Sequence, residues 1–289
     1  MKPTEETQRR KVSVDAFRKM KTQNERSVMV TSYDYPTSKI ADEIGVDSIL
    51  VGDSYGMVVL GYDTTIPVTV EEMLPVCRAV ARGASHPLLI ADMPFLSFQV
   101  SKEEAIRNAG RFIKEGGMTA VKIEGGKDIA ATAKAIVDTG IPVLGHIGVI
   151  PQTATLNTGY RVQGRTAESA TALIEDARSL EQVGVFGIVL EMVTEEVAKR
   201  ITEAVSVPTI GIGSGRYCDG QVLVLHDIIG LYPRFTPKFA KRYVDTGSMI
   251  RQALGTYVEE VRKGIFPDAQ HVFNMDENER VRLAPRRKT

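Results

Sequence analysis

Tryptophan is absent, and only two cysteines, Cys77 and Cys218, occur in 289 residues. Two thiols so far apart make no CxxC-type pair, which argues against a zinc-thiolate site or a disulfide framework and suits a reducing compartment. An excess of charge of either sign is also missing, since 36 Lys+Arg balance 36 Asp+Glu. A nucleic-acid binder needs a positive surplus to neutralise phosphates, so that class is set aside. No apolar run approaches the ~20 residues that span a bilayer. The opening MKPTEETQRR lacks the apolar core of a signal peptide, and its two glutamates do not suit a mitochondrial transit segment. The expected location is therefore cytoplasmic. Low-complexity segments and internal repeats are missing as well.

What the chain does have is 43% hydrophobic residues, enough for one sizeable core. Short apolar runs stand at 28–31, 48–51, 88–91, 120–123, 143–145, 187–190, 209–212 and 222–225. Runs of this kind suit a parallel sheet covered on its outer face by helices. Helix-period segments alternate with them, and Thr69 with Glu72 and Ser101 with Glu104 read as capping boxes. One buried helix face carries Ile106, Ala109 and Ile113, and another carries Ala170, Leu173, Ile174, Ala177 and Leu180. Pro75 falls inside the helix opened by Thr69, where a kink or early end is expected. Eight alternations point to an α/β fold, a closed (β/α)8 TIM barrel, over an open doubly wound sheet. The expected organisation is a single barrel domain over 1–289, with a lead-in helix at 14–20, a C-terminal helix at 238–263 and loose tails at 1–12 and 275–289. The stretch 150–165, rich in Gly, Thr and Asn, reads as an active-site loop or lid.

Ionisable residues follow one apolar run after another: Asp53 and Ser54, then Asp92, Lys122 with Glu124, His146, and Glu191. In a barrel these are the C-terminal strand ends, where active sites of this fold gather. Lys122 and Glu124 are two apart and point to the same side of their strand. Singly, each has a bland reading: an aspartate after a strand caps or turns the chain, a lysine buries only its stem, a histidine is satisfied in the core. Together they would crowd charge at the barrel mouth, which is costly without a metal ion or an anionic ligand. The hard oxygens of Asp53, Asp92 and Glu124 favour Mg²⁺; zinc on His146 is the weaker choice because no second histidine stands near in the pattern. The glycine cluster 211–215 could bind phosphate or simply form a tight turn.

The ordered segments TSYDYPTS (31–38), VGDSYGM (51–57), DTTIPVT (63–69), ADMPF (91–95), VKIEGG (121–126) and GHIGVIPQ (145–152) resemble the ketopantoate hydroxymethyltransferase family. GYRVQGR (159–165), VLEMV (189–193), GIGSG (211–215), DGQVLVLHD (219–227) and FTPKFAKRY (235–243) continue the match. The resemblance implies a barrel of the phosphoenolpyruvate-binding type and transfer of a hydroxymethyl group from 5,10-methylenetetrahydrofolate to 3-methyl-2-oxobutanoate. The products would be 2-dehydropantoate and tetrahydrofolate, early in pantothenate and coenzyme A synthesis. It further implies Asp53 and Asp92 as magnesium ligands with Glu124 in or beside that shell, and Ser54 and Lys122 as binders of the 2-oxo acid. Glu191 would be the general base, His146 a polar neighbour of the reacting oxygen, and the assembly a homodecamer. Tyr55, Tyr62, Thr194 and Ser214 depart from the family's usual leucine, histidine, proline and alanine, which bears on pocket lining and folate affinity. Two other classes remain at this point: a metal-dependent 2-oxo-acid lyase or mutase, and a non-catalytic barrel used for binding.

Overall fold

The computed structural model describes residues 10–157 and 159–283; the outer parts of both expected tails, 1–9 and 284–289, and Thr158 of the expected lid lie outside the described residues. Two compact units divide the chain, one up to Tyr243 and one from Val244. Helix α1 (Val14–Thr22), capped by Ser13, leads into eight parallel strands. These are β1 (Ser27–Thr31), β2 (Ser48–Val51), β3 (Leu88–Asp92), β4 (Ala120–Glu124), β5 (Val143–Gly148), β6 (Gly187–Glu191), β7 (Thr209–Ile212) and β8 (Gly220–Leu223). They close in sequence order, β8 returning to pair with β1.

The helices between them are α2 (Tyr35–Ile44), α3 (Tyr55–Val58), α4 (Val70–Gly83), α5 (Lys102–Lys114), α6 (Ala130–Val137), α7 (Pro151–Asn157), α8 (Ala167–Gln182) and α9 (Glu195–Ala204), and α10 (Leu225–Ile228) follows β8. Their apolar faces cover the sheet with residues such as Met73, Val80, Ala109, Phe112, Leu180 and Ile201. A second, inner cluster fills the barrel: Met29, Leu50, Ile90, Ala120, Leu144, Val189, Ile210 and Val222. Phe17 of α1 joins this inner cluster, its ring edge-on to Phe186 at 5.8 Å between centroids.

The period of a strand now decides where the chemistry goes. Side chains two apart share a face, so the inward position beyond Ile90 is Asp92, beyond Ala120 is Lys122 and then Glu124, beyond Leu144 is His146, and beyond Val189 is Glu191. On β2 the inward position beyond Leu50 is Gly52. A Cβ there would lie 2.8 Å from Ser54 Oγ and 3.3 Å from Asp92 Oδ2, so this glycine leaves room for the functional groups.

Several local expectations change. Pro75 neither shortens nor ends α4, which runs for 14 residues. Pro75 is on the exposed side, so the carbonyl left without its partner can be satisfied by water while Met73, Leu74, Val76 and Cys77 stay buried. Strands β3 to β6 reach one to three residues further than their apolar runs, because the ladder pairs Asp92 with Lys122 and Glu124 with His146. Strand β8 starts earlier, its register set by Gly220 against Ser27. The Thr69–Glu72 box is complete, whereas Ser101 accepts from the Glu104 N–H without the reciprocal bond. The lid contains α7. Val12, inside the expected loose tail, donates its N–H to the His86 carbonyl at 2.7 Å. In the second unit the helix is shorter than expected, α11 (Thr246–Arg262), because Asp245 caps it by accepting from the Ser248 N–H. A short α12 (Glu277–Leu283) forms within the stretch expected to be a loose tail.

Buried Asp42 ties α2 to the turn before β3, accepting from the Ser85 N–H at 2.8 Å and meeting His86 Nδ1 at 2.9 Å. Burial works against its charge, but the Ser85 N–H and His86 outweigh it and hold the carboxyl below the usual range. A lowered folded-state pKa contributes stability above the unfolded value of about 3.9, and that stability is lost as pH falls further. Asp42→Asn is therefore expected to cost about 1–3 kcal/mol in urea unfolding at neutral pH. The difference from wild type should shrink in acid; an equal deficit at both pH values would contradict the assignment.

Candidate active site

Lys122 is the hub. Its Nζ lies 2.8 Å from Asp92 Oδ1 and 3.1 Å from Glu124 Oε1, with His146 Nδ1 also at 3.1 Å. All four side chains are buried. Glu124 is engaged on both oxygens: Oε1 faces Lys122 and His146 Nδ1 (3.2 Å), and Oε2 accepts from the Gln152 N–H at 3.3 Å. Asp92 Oδ2 accepts from the Asp53 N–H at 3.1 Å, which sets the two aspartates side by side. Ser54 Oγ is 2.8 Å from the Tyr33 hydroxyl. At the far side of the histidine, His146 Nε2 stands 3.3 Å from Glu191 Oε2, an ion-pair approach whose angles fall short of a hydrogen bond. Glu191 is the least buried acid of this group, with 15% of its side chain exposed.

Electrostatics follows from burial and neighbours. Burial first, then Glu124 and Asp92, push the Asp53 carboxyl well above the carboxylate range, with Lys122 opposing. Asp92 is raised by burial against the pull of Lys122. Glu124 overcomes its burial through Lys122 and His146 and is held down at about 2. Burial and Lys122 disfavour a charged imidazole at His146, yet Glu124 chiefly, with Glu191 beyond it, lifts it to about 9.

Three buried carboxylates and Glu191 outnumber Lys122 and His146, and the strain concentrates on Asp53. That surplus fits a hard divalent cation held by oxygen. No three His, Cys, Asp or Glu side chains converge as a metal cage among the described residues. Asp53, Asp92 and Glu124 supply the oxygens that could hold such an ion, although Glu124 is also engaged by Lys122, His146 and Gln152.

These residues line a cavity of about 370 Å³ at the C-terminal ends of the strands. Met57, Val58, Tyr160, Met192, Ile212 and Phe239 supply much of its wall. All the site residues expected from sequence (Asp53, Ser54, Asp92, Lys122, Glu124, His146 and Glu191) face it. Gln152 was missed. On α7, it donates Nε2–H to Asp53 Oδ2 and to the Met93 carbonyl, both at 2.9 Å. Its only sequence signal is a polar side chain in the motif following His146.

The glycine cluster holds no polar side chain out for a phosphate. Ser214 is fully buried, donating to the Leu190 carbonyl at 2.7 Å and accepting from the Val193 N–H at 3.0 Å, while Gly213 (φ 65°) packs under Phe239. Ser214 thereby braces the segment that carries Glu191. Of the other departures, Tyr62 donates to Glu72 at 2.6 Å and Thr194 Oγ1 to the Gly164 carbonyl at 3.0 Å, and Tyr55 packs against Tyr33.

The profile of the family described as ketopantoate hydroxymethyltransferase matches residues 11–269. The chain belongs to the ketopantoate hydroxymethyltransferase family. The 3-methyl-2-oxobutanoate hydroxymethyltransferase of Thermotoga neapolitana is 56% identical over 91% of this chain and 96% of its own length. That of Heliobacterium modesticaldum is 53% identical over 93% and 97%. Among solved structures, 2,3-dimethylmalate lyase, a PEP mutase/isocitrate lyase superfamily member, superposes with a TM-score of 0.56 at 15% identity, over 93% of this chain and 97% of its own. The phosphoenolpyruvate phosphomutase of Streptomyces platensis subsp. rosaceus gives 0.57 at 11% identity, over 91% and 92%. These two share the barrel of this hydroxymethyltransferase family member. With relatives above 50% identity named as hydroxymethyltransferases, a lyase or mutase assignment has no support beyond the shared fold.

Proposed function

We propose that the chain transfers a hydroxymethyl group from 5,10-methylenetetrahydrofolate to 3-methyl-2-oxobutanoate, with Mg²⁺ as cofactor, giving 2-dehydropantoate and tetrahydrofolate. The observation that carries the reading is the pairing of two unlike carboxylate environments in one cavity: Asp53 and Asp92 buried beside Lys122, and Glu191 part-exposed across His146. Lys122 and the Ser54 hydroxyl neutralise and orient the carboxylate of the 2-oxo acid. When bound, Mg²⁺ supplies a Lewis acid that stabilises negative charge on the keto oxygen. Glu191 takes the proton from the carbon beside the carbonyl. His146, whose Nε2 stands 3.3 Å from Glu191 Oε2, is the polar neighbour that orients this carboxylate toward the reacting carbon. Water opens the donor's methylene bridge, breaking its two C–N bonds to give tetrahydrofolate and a formaldehyde-level carbon; the carbanion adds to that carbon, and the alkoxide so formed takes back the proton held by Glu191.

The same reading includes a cytoplasmic homo-oligomer, a decamer by family resemblance. It is supported by α11, where Met249, Leu254, Tyr257, Val258 and Val261 are all exposed. A proton NMR time course with both substrates tests the reaction. A hydroxymethyl signal that grows only with Mg²⁺ is expected, and no signal from folded protein would overturn it. Asp92→Asn is expected to raise the Mg²⁺ requirement at least about tenfold, the effect of losing one charged ligand. An unchanged metal dependence would remove Asp92 from the ligand set.

A further inference from the structure

The polar groups of the mouth come from the β2 to β6 sector and from α7. The remaining arc, formed by β7, β8 and the segments after them, is walled by Ile212, Val224, Phe235 and Phe239. Besides the exposed Lys238, two polar groups nevertheless face the same cavity from this arc. Asp227, on α10, is 8% exposed and lines the cavity, and its carboxylate has no hydrogen bond or ion pair among the described residues. Tyr232, in the segment that follows, also lines the cavity, and its hydroxyl is buried without a partner. Burial lifts the Asp227 carboxyl to about 6 against the distant pull of Arg242, and no carboxylate of the β2–β6 cluster contributes.

Buried polar groups are almost always paired, and one left open onto a cavity calls for a partner. The 2-oxo acid cannot be that partner for Asp227, since it offers only oxygen acceptors and a negative charge. A carboxylate of this kind is matched by a ligand with adjacent N–H groups, as in an aminopyrimidinone edge. Aromatic surface for a planar ring is at hand, with Tyr232 and Phe235 edge-on at 5.9 Å between centroids. We infer that Asp227 and Tyr232 form the subsite for the heterocycle of the one-carbon donor, Asp227 accepting from its paired N–H groups and Tyr232 donating to an acceptor on the same ring. The inference rests on the reading that a reduced folate is the second substrate.

The test uses the full-length protein and three readouts: the Kd for tetrahydrofolate, the KM for 3-methyl-2-oxobutanoate, and Tm. Asp227→Asn is expected to weaken tetrahydrofolate binding about 10–100-fold, the effect of losing a charge-assisted hydrogen bond, while the 2-oxo acid KM stays within about twofold. Its Tm should hold or rise, because an unpaired buried carboxylate costs stability in the free protein. Tyr232→Phe should weaken tetrahydrofolate about 3–10-fold with the same selectivity. Unchanged tetrahydrofolate affinity in Asp227→Asn overturns the subsite, as does an equal loss for both substrates with a lowered Tm, the mark of a structural role. Failure of the wild-type protein to bind tetrahydrofolate would overturn the co-substrate reading and the subsite with it, and it would show before any substitution is made.

Discussion

Glu191→Gln is expected to lower kcat by about 10²–10⁴-fold, the usual contribution of a general base. The KM for the 2-oxo acid and the Mg²⁺ requirement should change little. The geometry explains this split. Glu191 ends β6 and reaches the cavity, and among the described residues its carboxylate pairs with His146 Nε2 at 3.3 Å, not with Lys122. Glutamine keeps the shape and a carbonyl oxygen toward the imidazole while removing the site that takes the proton. Steady-state kinetics in both substrates reads this directly. A Gln variant with near wild-type kcat would move the base elsewhere in the mouth.

Lys122→Met is expected to have the largest effect on the protein itself. Lys122 is the shared cation of Asp92 and Glu124, all three at most 5% exposed. Removing one member of a buried charged group strands the others, at a cost of about 3–5 kcal/mol. The deficit should depend on pH with a definite sign. Asp92 already has a raised carboxyl, so its protonated form is favoured in the folded state, and that stability is present in acid and lost as pH rises. Without Lys122 the loss becomes larger, so the variant should be closest to wild type in mild acid and furthest from it at pH 8. Adding Glu124→Gln should recover part of the stability but none of the 2-oxo acid binding. Urea unfolding across pH, together with the KM for the 2-oxo acid, checks both halves. A Lys122→Met protein of wild-type stability would mean that the lysine is not the countercharge.

Much of this site was legible because two periodicities coincide. The apolar runs of β3, β4, β5 and β6 each stop at an ionisable residue, and the two-residue period puts Asp92, Lys122, Glu124, His146 and Glu191 on the inward face above the barrel core. The closed order of eight strands followed from the same alternation. What was not legible depends on pairings distant in sequence. Gln152 meets Asp53 across 99 positions, and nothing in its local sequence announces a ligand-orienting amide. The register of β8 comes from β1, almost two hundred residues earlier, and an apolar run cannot report it. Pro75 read as a kink or an early end because sequence alone does not show that it falls on the exposed side of α4. Asp227 stood in the sequence only as the end of the DGQVLVLHD segment, and only the lack of a partner for its carboxylate among the described residues sets it apart.

Solvent exchange at the carbon beside the keto group of 3-methyl-2-oxobutanoate tests the central claim most directly, because it isolates proton removal from transfer. The measurement is deuterium incorporation in D₂O with Mg²⁺ and no folate, for wild type and Glu191→Gln. The account predicts exchange by wild type and its loss in the variant. Exchange that persists undiminished in Glu191→Gln would contradict it.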